Sequence, residues 1–327
     1  MQAKKYILPT AMLCLGLLLP QLLDLLGLQY LLSLATRALI YGLAASSLNL
    51  ILGYGGLVSL GHAAFIGIGG YTAGILLYHV QAGSPILGLL RPASFWNSAL
   101  VAWPLAMALA ALFALVTGLV SLRTRGMHFI MITLAFAQMV YFFFTSFDTY
   151  GGSDGISLYG RNTLPGLDLG NDQVFYYLCL ALLLLFLAFM HRLVHARFGR
   201  ALIAGRENVV RLQALGIAPL GCQLFAYCLA GAVAGLAGAL LVNQGEFISP
   251  EMMHWTRSGE LMVMVLVGGM ARLFGPVLGA TILLFLEEYL AMYTDHWMVI
   301  FGPFLILVVL FGRSGLYGLL FEKGKRS

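Results

Sequence analysis

Five polar side chains stand inside long apolar runs. His62 and Ser59 lie within GLVSLGHAAFIGIGGYTAG (residues 56–74), Asn49 precedes them, and Thr133 and Gln138 bracket the stretch TLAFAQ (133–138). An imidazole, two hydroxyls and two amides in such surroundings offer hydrogen bonding above all, because a polar group out of water needs a partner. A metal site is not expected: no second ligand stands three or four residues from His62. The adjacent carboxylates Glu287 and Glu288 would sit about 100° apart on a helix, so they form no shared acid pair and read as interfacial. The patterns of a phosphate-binding loop, a serine nucleophile elbow and a zinc protease helix are all absent. Two readings of the polar set stay open: hydrogen bonds that hold facing helices together, or contacts along the route of a small polar solute.

The elements that must position these residues follow from composition. Of the 327 residues, 61% are hydrophobic and 9% are charged, whereas soluble domains run near 45–50% and about 25%. That balance excludes a sizeable soluble domain and points to a bundle of membrane helices, each about 20 residues long. About ten apolar segments are expected, at 6–26, 33–52, 57–79, 97–121, 127–147, 173–191, 221–242, 258–271, 274–293 and 297–316. The segment 258–271 is short for a crossing and is expected to be tilted, re-entrant or broken. Gly53-Tyr54-Gly55-Gly56 and Val267-Gly268-Gly269-Met270 interrupt apolar runs. Lys4 and Lys5 ahead of an apolar run imitate a secretory leader, with Ser33-Leu34-Ala35 as a passable cleavage site. The run from Tyr6 is long for a leader, so it reads as the first span. Cys14, Cys179, Cys222 and Cys228 match no metal or disulfide spacing and read as small apolar residues.

Charge alternates between the segments. Lys4, Lys5, Arg123, Arg125, the cluster from Arg192 to Arg211, Arg272, Lys323, Lys325 and Arg326 fall on one side. Asp148, Asp154, Asp168, Asp172, Glu246, Glu251 and Asp295 fall on the other. The positive-inside rule makes the first side cytoplasmic and places both termini there. Arg91 and Arg161 fall on the outer side, and Arg37 near the outer end of the second segment is expected to snorkel. The net charge of +5 therefore speaks to membrane orientation and not to nucleic acid.

Small residues recur every fourth position: Ser59, Ala63 and Gly67; Gly70 and Gly74; Gly231, Gly235 and Ala239; Ala230, Ala234 and Gly238. Such stripes let helix backbones approach closely, and those of segment three are expected to meet segment two. Residues 192–220, RLVHARFGRALIAGRENVVRLQALGIAPLG as continued to Gly221, alternate basic and aliphatic residues at helical spacing. One or two short helices on the cytoplasmic face are expected, resting on anionic lipid or docked to a protein.

The pieces LNLILGYGGLVSLGHAAFIGIGGYTAG (48–74), RTRGMHFIMITLAFAQ (123–138), GGSDGIS (151–157), GRALIAGRENVVRLQALGI (199–217), AYCLAGAVAGLAGAL (226–240), GEFISPE (245–251) and LVGGMARLFGPVLGA (266–280) occur in order. Together they resemble the permease subunits of branched-chain amino acid ABC importers, and more closely the larger of the two paired permeases. Urea and short-amide permeases share most of these motifs. The resemblance implies one all-α, polytopic transmembrane domain over 1–327, in the inner membrane of a bacterium, with no enzymatic activity or cofactor of its own. It implies cytoplasmic ATPase subunits that hydrolyse ATP, a second permease and an external substrate-binding protein. It further implies a coupling helix carrying Gly199, Arg200, Ala201, Arg206, Glu207, Leu215 and Gly216. Asn49, Ser59, His62, Gly67, Thr133 and Gln138 would then lie on the translocation pathway or a helix interface. A secondary transporter working without an ATPase is the rival reading.

Overall fold

The computed structural model describes residues 16–25, 27–83, 93–293, 299 and 302–303. Helix α1 (Gly16–Leu25) is followed by α2 (Gln29–Asn49), which runs without a break into a π-helical turn, Leu50–Tyr54. Then come α3 (His62–Gln81), the short α4 (Ala93–Asn97), α5 (Ala99–Ser121) and α6 (Met127–Thr145). A loop containing β1 (Ile156–Ser157) leads to α7 (Asp172–His195), two short helices α8 (Arg197–Glu207) and α9 (Val209–Ala214), and the long α10 (Pro219–Gly245). Strand β2 (Phe247–Ile248), a 3-10 turn (Pro250–Met253), α11 (Trp255–Gly268) and α12 (Gly275–Ala291) complete the described chain.

Six helices among the described residues are long and apolar enough to cross a membrane: Gln29–Tyr54, His62–Gln81, Ala99–Ser121, Met127–Thr145, Asp172–His195 and Pro219–Gly245. They correspond to the second to seventh expected segments. The first expected segment is described only in part, as α1, and nearly all of 297–316 lies outside the described residues. The eighth and ninth are helices of 14 and 17 residues. At about 1.5 Å per residue neither reaches the roughly 30 Å of a bilayer core. Among the described residues the expected segments appear as six full-length helices and a hairpin of two shorter ones. Apolarity alone does not reveal where a helix stops; here the break falls at Gly268-Gly269, and Gly269 and Ala271 leave the helix at φ 115° and 56°.

Helix α2 forms the centre and packs on α7, α10, α11 and α12. Helix α10 is the second hub, wedged between α3 and α5. The wedge depends on missing side-chain atoms. A Cβ on Gly238 would stand 1.9 Å from the Ile66 carbonyl oxygen, and one on Gly69 would stand 2.0 Å from that of Gly235. On the opposite face Gly231 and Gly235 meet the alanine row Ala106, Ala110 and Ala114 of α5. The two helices of the hairpin touch in the same manner, through Gly268 against Gly275 and Gly279 against Met264. Lipid is as apolar as the side chains, so close backbone packing carries the association.

This geometry corrects one expectation. The glycines of α3 do not meet α2; they face α10 and the segment after it. Gly67 abuts the Met253 side chain, Gly70 lies against Val242 and Gly74 against Ile248.

At the end of the bundle remote from α8 and α9, β1 and β2 pair antiparallel, Ile156 opposite Ile248. Gly155 makes the approach possible: its φ is 78°, and a Cβ there would stand 2.2 Å from the Ile248 carbonyl oxygen. Arg161 is locked alongside. It donates to the carbonyls of Asn243 at 3.0 Å and Leu169 at 2.8 Å, pairs with Asp172 at 2.5 Å, and lies over the Phe175 ring. The position of Arg161 on the acidic side is thereby explained as a structural clasp.

Gly69→Ala is expected to destabilise by about 3 kcal/mol, because the carbonyl it meets cannot move aside. Gly67→Leu is also destabilising, but there the obstacle is a flexible side chain, so Met253→Ala should restore part of the loss. The same Met253→Ala change should restore nothing to Gly69→Ala. Thermal unfolding of the four variants in detergent measures this, and equal rescue of both glycine variants would contradict the packing described.

Candidate functional site: a polar seam joined to an exposed helical loop

The π-helical turn ends α2 at Tyr54, and the chain then returns through residues 55–61 until α3 begins at His62. The first turn of a helix has amides without intrahelical partners. Here three neighbouring elements hold that turn and the loop leading into it. Ser258 of α11 accepts from the Ala63 amide at 2.8 Å, and Thr133 of α6 accepts from the Leu60 amide at 3.3 Å. Ser47 of α2 stands 2.8 Å from His62 Nε2. The Ser47 hydroxyl has one proton and donates it to the Ala44 carbonyl at 2.7 Å. His62 must therefore donate from Nε2, which leaves Nδ1 as the acceptor. His62 is fully buried, and Nδ1 has no partner among the described residues.

Ser59 is buried and accepts from the Gly61 amide at 3.2 Å. Its hydroxyl also faces that of Tyr227, which meets Thr117 and Ser121 on the α5 side. Thr133 donates onward to the Ile130 carbonyl at 2.9 Å. Gln138 stands apart from this cluster, with its buried Nε2 lacking a partner among the described residues. Ser59, His62 and Thr133 are thus gathered at the start of α3, whereas Gly67 and Gln138 lie elsewhere.

Asn49 serves another junction. Its Oδ1 accepts from the Ala271 amide at 3.0 Å, and its Nδ2 donates to the Arg272 carbonyl at 2.9 Å. One amide side chain thereby grips the backbone where α11 gives way to α12. The π turn begins directly after Asn49, and Gly53 within it packs on both Asn49 and Ala271.

The Gly53 carbonyl in turn accepts from Arg206 Nη1 of α8. A continuous line of contacts therefore runs from α8 through Gly53 and Asn49 to the α11–α12 hairpin. Gly199 is buried at the corner between α7 and α8, where a Cβ would meet the Val194 carbonyl oxygen at 2.3 Å. Ala201 is half-buried, and Arg200 and Glu207 are exposed. Asn208 caps α9 by accepting from the Arg211 amide at 3.0 Å. Gly216, at φ 78°, ends α9 in a Schellman arrangement, with Ile217 N–H donating to the Leu212 carbonyl. That turn pushes Leu215 outward, 71% exposed, next to the exposed Val210, Ile217 and Leu220. The loop is thus capped at both ends of α9 and apolar at its tip.

Sequence reasoning missed Ser47, Ser258 and Asn208. Ser46-Ser47 inside an apolar helix was a signal of the same kind as His62. Asn208 ahead of a short aliphatic run was a capping signal.

Comparison with known proteins bears on this arrangement. The family described as the branched-chain amino acid transport system permease component matches residues 30–310. The LivM permease protein of the high-affinity branched-chain amino acid transport system of Salmonella typhimurium is 28% identical, over 86% of this chain and 69% of its own. A probable LivM from Methanocaldococcus jannaschii is 25% identical, over 85% and 90%. The ribose import permease RbsC of Escherichia coli is 28% identical over 65% and 68%. No solved structure matches the chain.

Asn49→Ala is expected to cost about 1–3 kcal/mol, since the Ala271 amide loses its acceptor. Asn49→Asp retains the acceptor and should recover part of this. Thermal unfolding together with proteolysis across 269–274 checks both, and an Asn49→Ala protein as stable and as protected as the original would refute the clamp.

Proposed function

We propose that this chain, which belongs to the family of branched-chain amino acid transport system permease components, is one transmembrane half of an ABC importer. Its α8–α9 loop faces the cytoplasm and docks on an ATPase subunit that hydrolyses ATP. A second permease completes the pathway, and a substrate-binding protein delivers a branched-chain or other small amino acid from outside. The membrane is the bacterial inner membrane. Both termini lie in the cytoplasm, and about ten segments enter the bilayer, the α11–α12 hairpin among them.

The observation that carries this reading is the loop itself. An apolar tip built from Val210, Leu215 and Ile217, on a backbone fixed by Asn208 and Gly216, is what a protein groove requires. A helix resting on lipid would turn its aliphatic residues and arginines to one surface without needing the link to the core. Arg206 provides that link, through Gly53 and Asn49 to the hairpin. Motion of the docked loop then has a mechanical path into the bundle, which alternating access needs. His62, Ser59 and Thr133 hold the start of α3 beside that path, and Gln138 offers an amide to a passing solute.

Leu215→Asp combined with Glu207→Lys is expected to reduce ATPase co-purification at least tenfold. That corresponds to about 1.4 kcal/mol of lost docking energy. Both positions are exposed, so folding should be unchanged. The measurement is a pull-down of the tagged chain, co-expressed with its paired permease, from mild detergent. If the folded original brings down no ATPase, the importer reading fails.

A further inference from the structure

A cavity of about 390 Å³ opens between the first half of α2, the end of α10, the 3-10 turn and α12. Ligand pockets commonly measure about 300–1,000 Å³. Four charged side chains line it: Arg37, Arg257, Glu251 and Glu288. Two are positive and two are negative.

These charges are poorly matched to each other. Among the described residues the ion pairs are Arg161 with Asp172 and Arg257 with Glu260. Arg257 therefore has an acid on its own helix. Arg37 lies two turns into α2, half-buried, with its guanidinium 5.7 Å from the centre of the Tyr41 ring and no ion pair among the described residues. Glu287 is within electrostatic reach of Arg37 but closes no ion pair with it. Glu288, half-buried on α12, is likewise without an ion pair among the described residues. A guanidinium at such a position normally meets an acid or marks a substrate pathway. Leu34, Leu241 and Phe247 add an apolar wall beside the charges.

We propose that this cavity is a zwitterion site: an α-amino acid places its carboxylate on Arg37, its ammonium against Glu288 and its aliphatic side chain on Leu34, Leu241 and Phe247. A neutral solute such as a sugar or an amide offsets neither charge when it displaces water. A simple anion or cation offsets only one. A zwitterion offsets both, and the apolar wall selects a hydrocarbon side chain over a polar one. The inference rests on the importer reading for the identity of the zwitterion, and it adds to that reading a binding step within the permease itself.

The test uses the full chain, co-expressed with its transport subunits and placed in nanodiscs without any binding protein. Leucine binding is read by saturation-transfer NMR, which detects weak ligands. 4-Methylpentanoate lacks the ammonium of leucine and 3-methylbutylamine lacks its carboxylate. Each is expected to compete at least tenfold more weakly than leucine, and ribose and urea not at all. Arg37→Met and Glu288→Gln should each weaken leucine at least tenfold, and Arg37→Lys should keep part of the affinity. Equal competition by the two singly charged analogues, or unchanged leucine binding in both variants, overturns the proposal. The analogue series needs no variant, so it decides the matter even if Arg37→Met fails to reconstitute. ATPase content of the same nanodiscs separates the two ideas. With ATPase present and no saturable leucine binding, the zwitterion site falls and the importer reading stands. With leucine bound as described and no ATPase, the importer reading falls and the site stands.

Discussion

The contact between α10 and α3 is made by backbone on backbone, and most of the bundle is arranged around it. The Ile66 carbonyl and the Gly238 Cα occupy space that any side chain would deny. In an apolar medium two helices gain little by hiding leucines from lipid, which is no less apolar. They gain by bringing many atoms into contact at short range, and glycine and alanine allow the shortest range. Because α10 also presents Gly231 and Gly235 to the alanines of α5, one helix joins two others through its smallest residues. The large side chains are thereby left for the outer faces, where Leu112, Phe142 and Leu185 stand exposed.

Such tight packing leaves the interruptions as the places where the structure has freedom. There are two prominent ones, and they touch. The π turn after Asn49 and the break between α11 and α12 are joined by the Asn49 side chain, and α8 joins them through Arg206. Backbone that leaves the α-helix within an apolar bundle must find partners nearby. Asn49 provides two hydrogen bonds for that purpose. The same requirement explains why the start of α3 draws Ser258 and Thr133 from two different helices. Polar residues here complete the hydrogen bonding of broken helices, and that placement puts them along the line from the exposed loop to the hairpin.

The charges divide in a comparable way. Arg161 is saturated by two carbonyls and a carboxylate. Arg37 meets an aromatic ring and an open cavity. Both were outliers in the same charge pattern along the chain, and only their surroundings tell them apart. One is a fastener; the other faces a space large enough for a solute.

The apolar excess, the six full-length segments and the basic loop were legible from residue types alone, because crossing length and charge bias are properties of local sequence. The interruptions at Gly268-Gly269 and Gly55-Gly56 were visible, but a glycine pair alone does not fix where a helix stops, since Gly69-Gly70 lies inside α3. The resemblance to a permease family also lay in the order of short motifs, and the match over 30–310 agrees with it. Partner choice was not legible. The small-residue stripe of α3 suits any close neighbour, and the tertiary structure chose α10 over α2. Asn49 and His62 looked alike as buried polar residues. Their bonds span 222 and 15 positions of chain respectively, to Ala271 and Ser47. A stripe or a polar side chain specifies what kind of contact it needs. Which helix supplies it depends on how all the helices fit at once, and that is decided only when they pack.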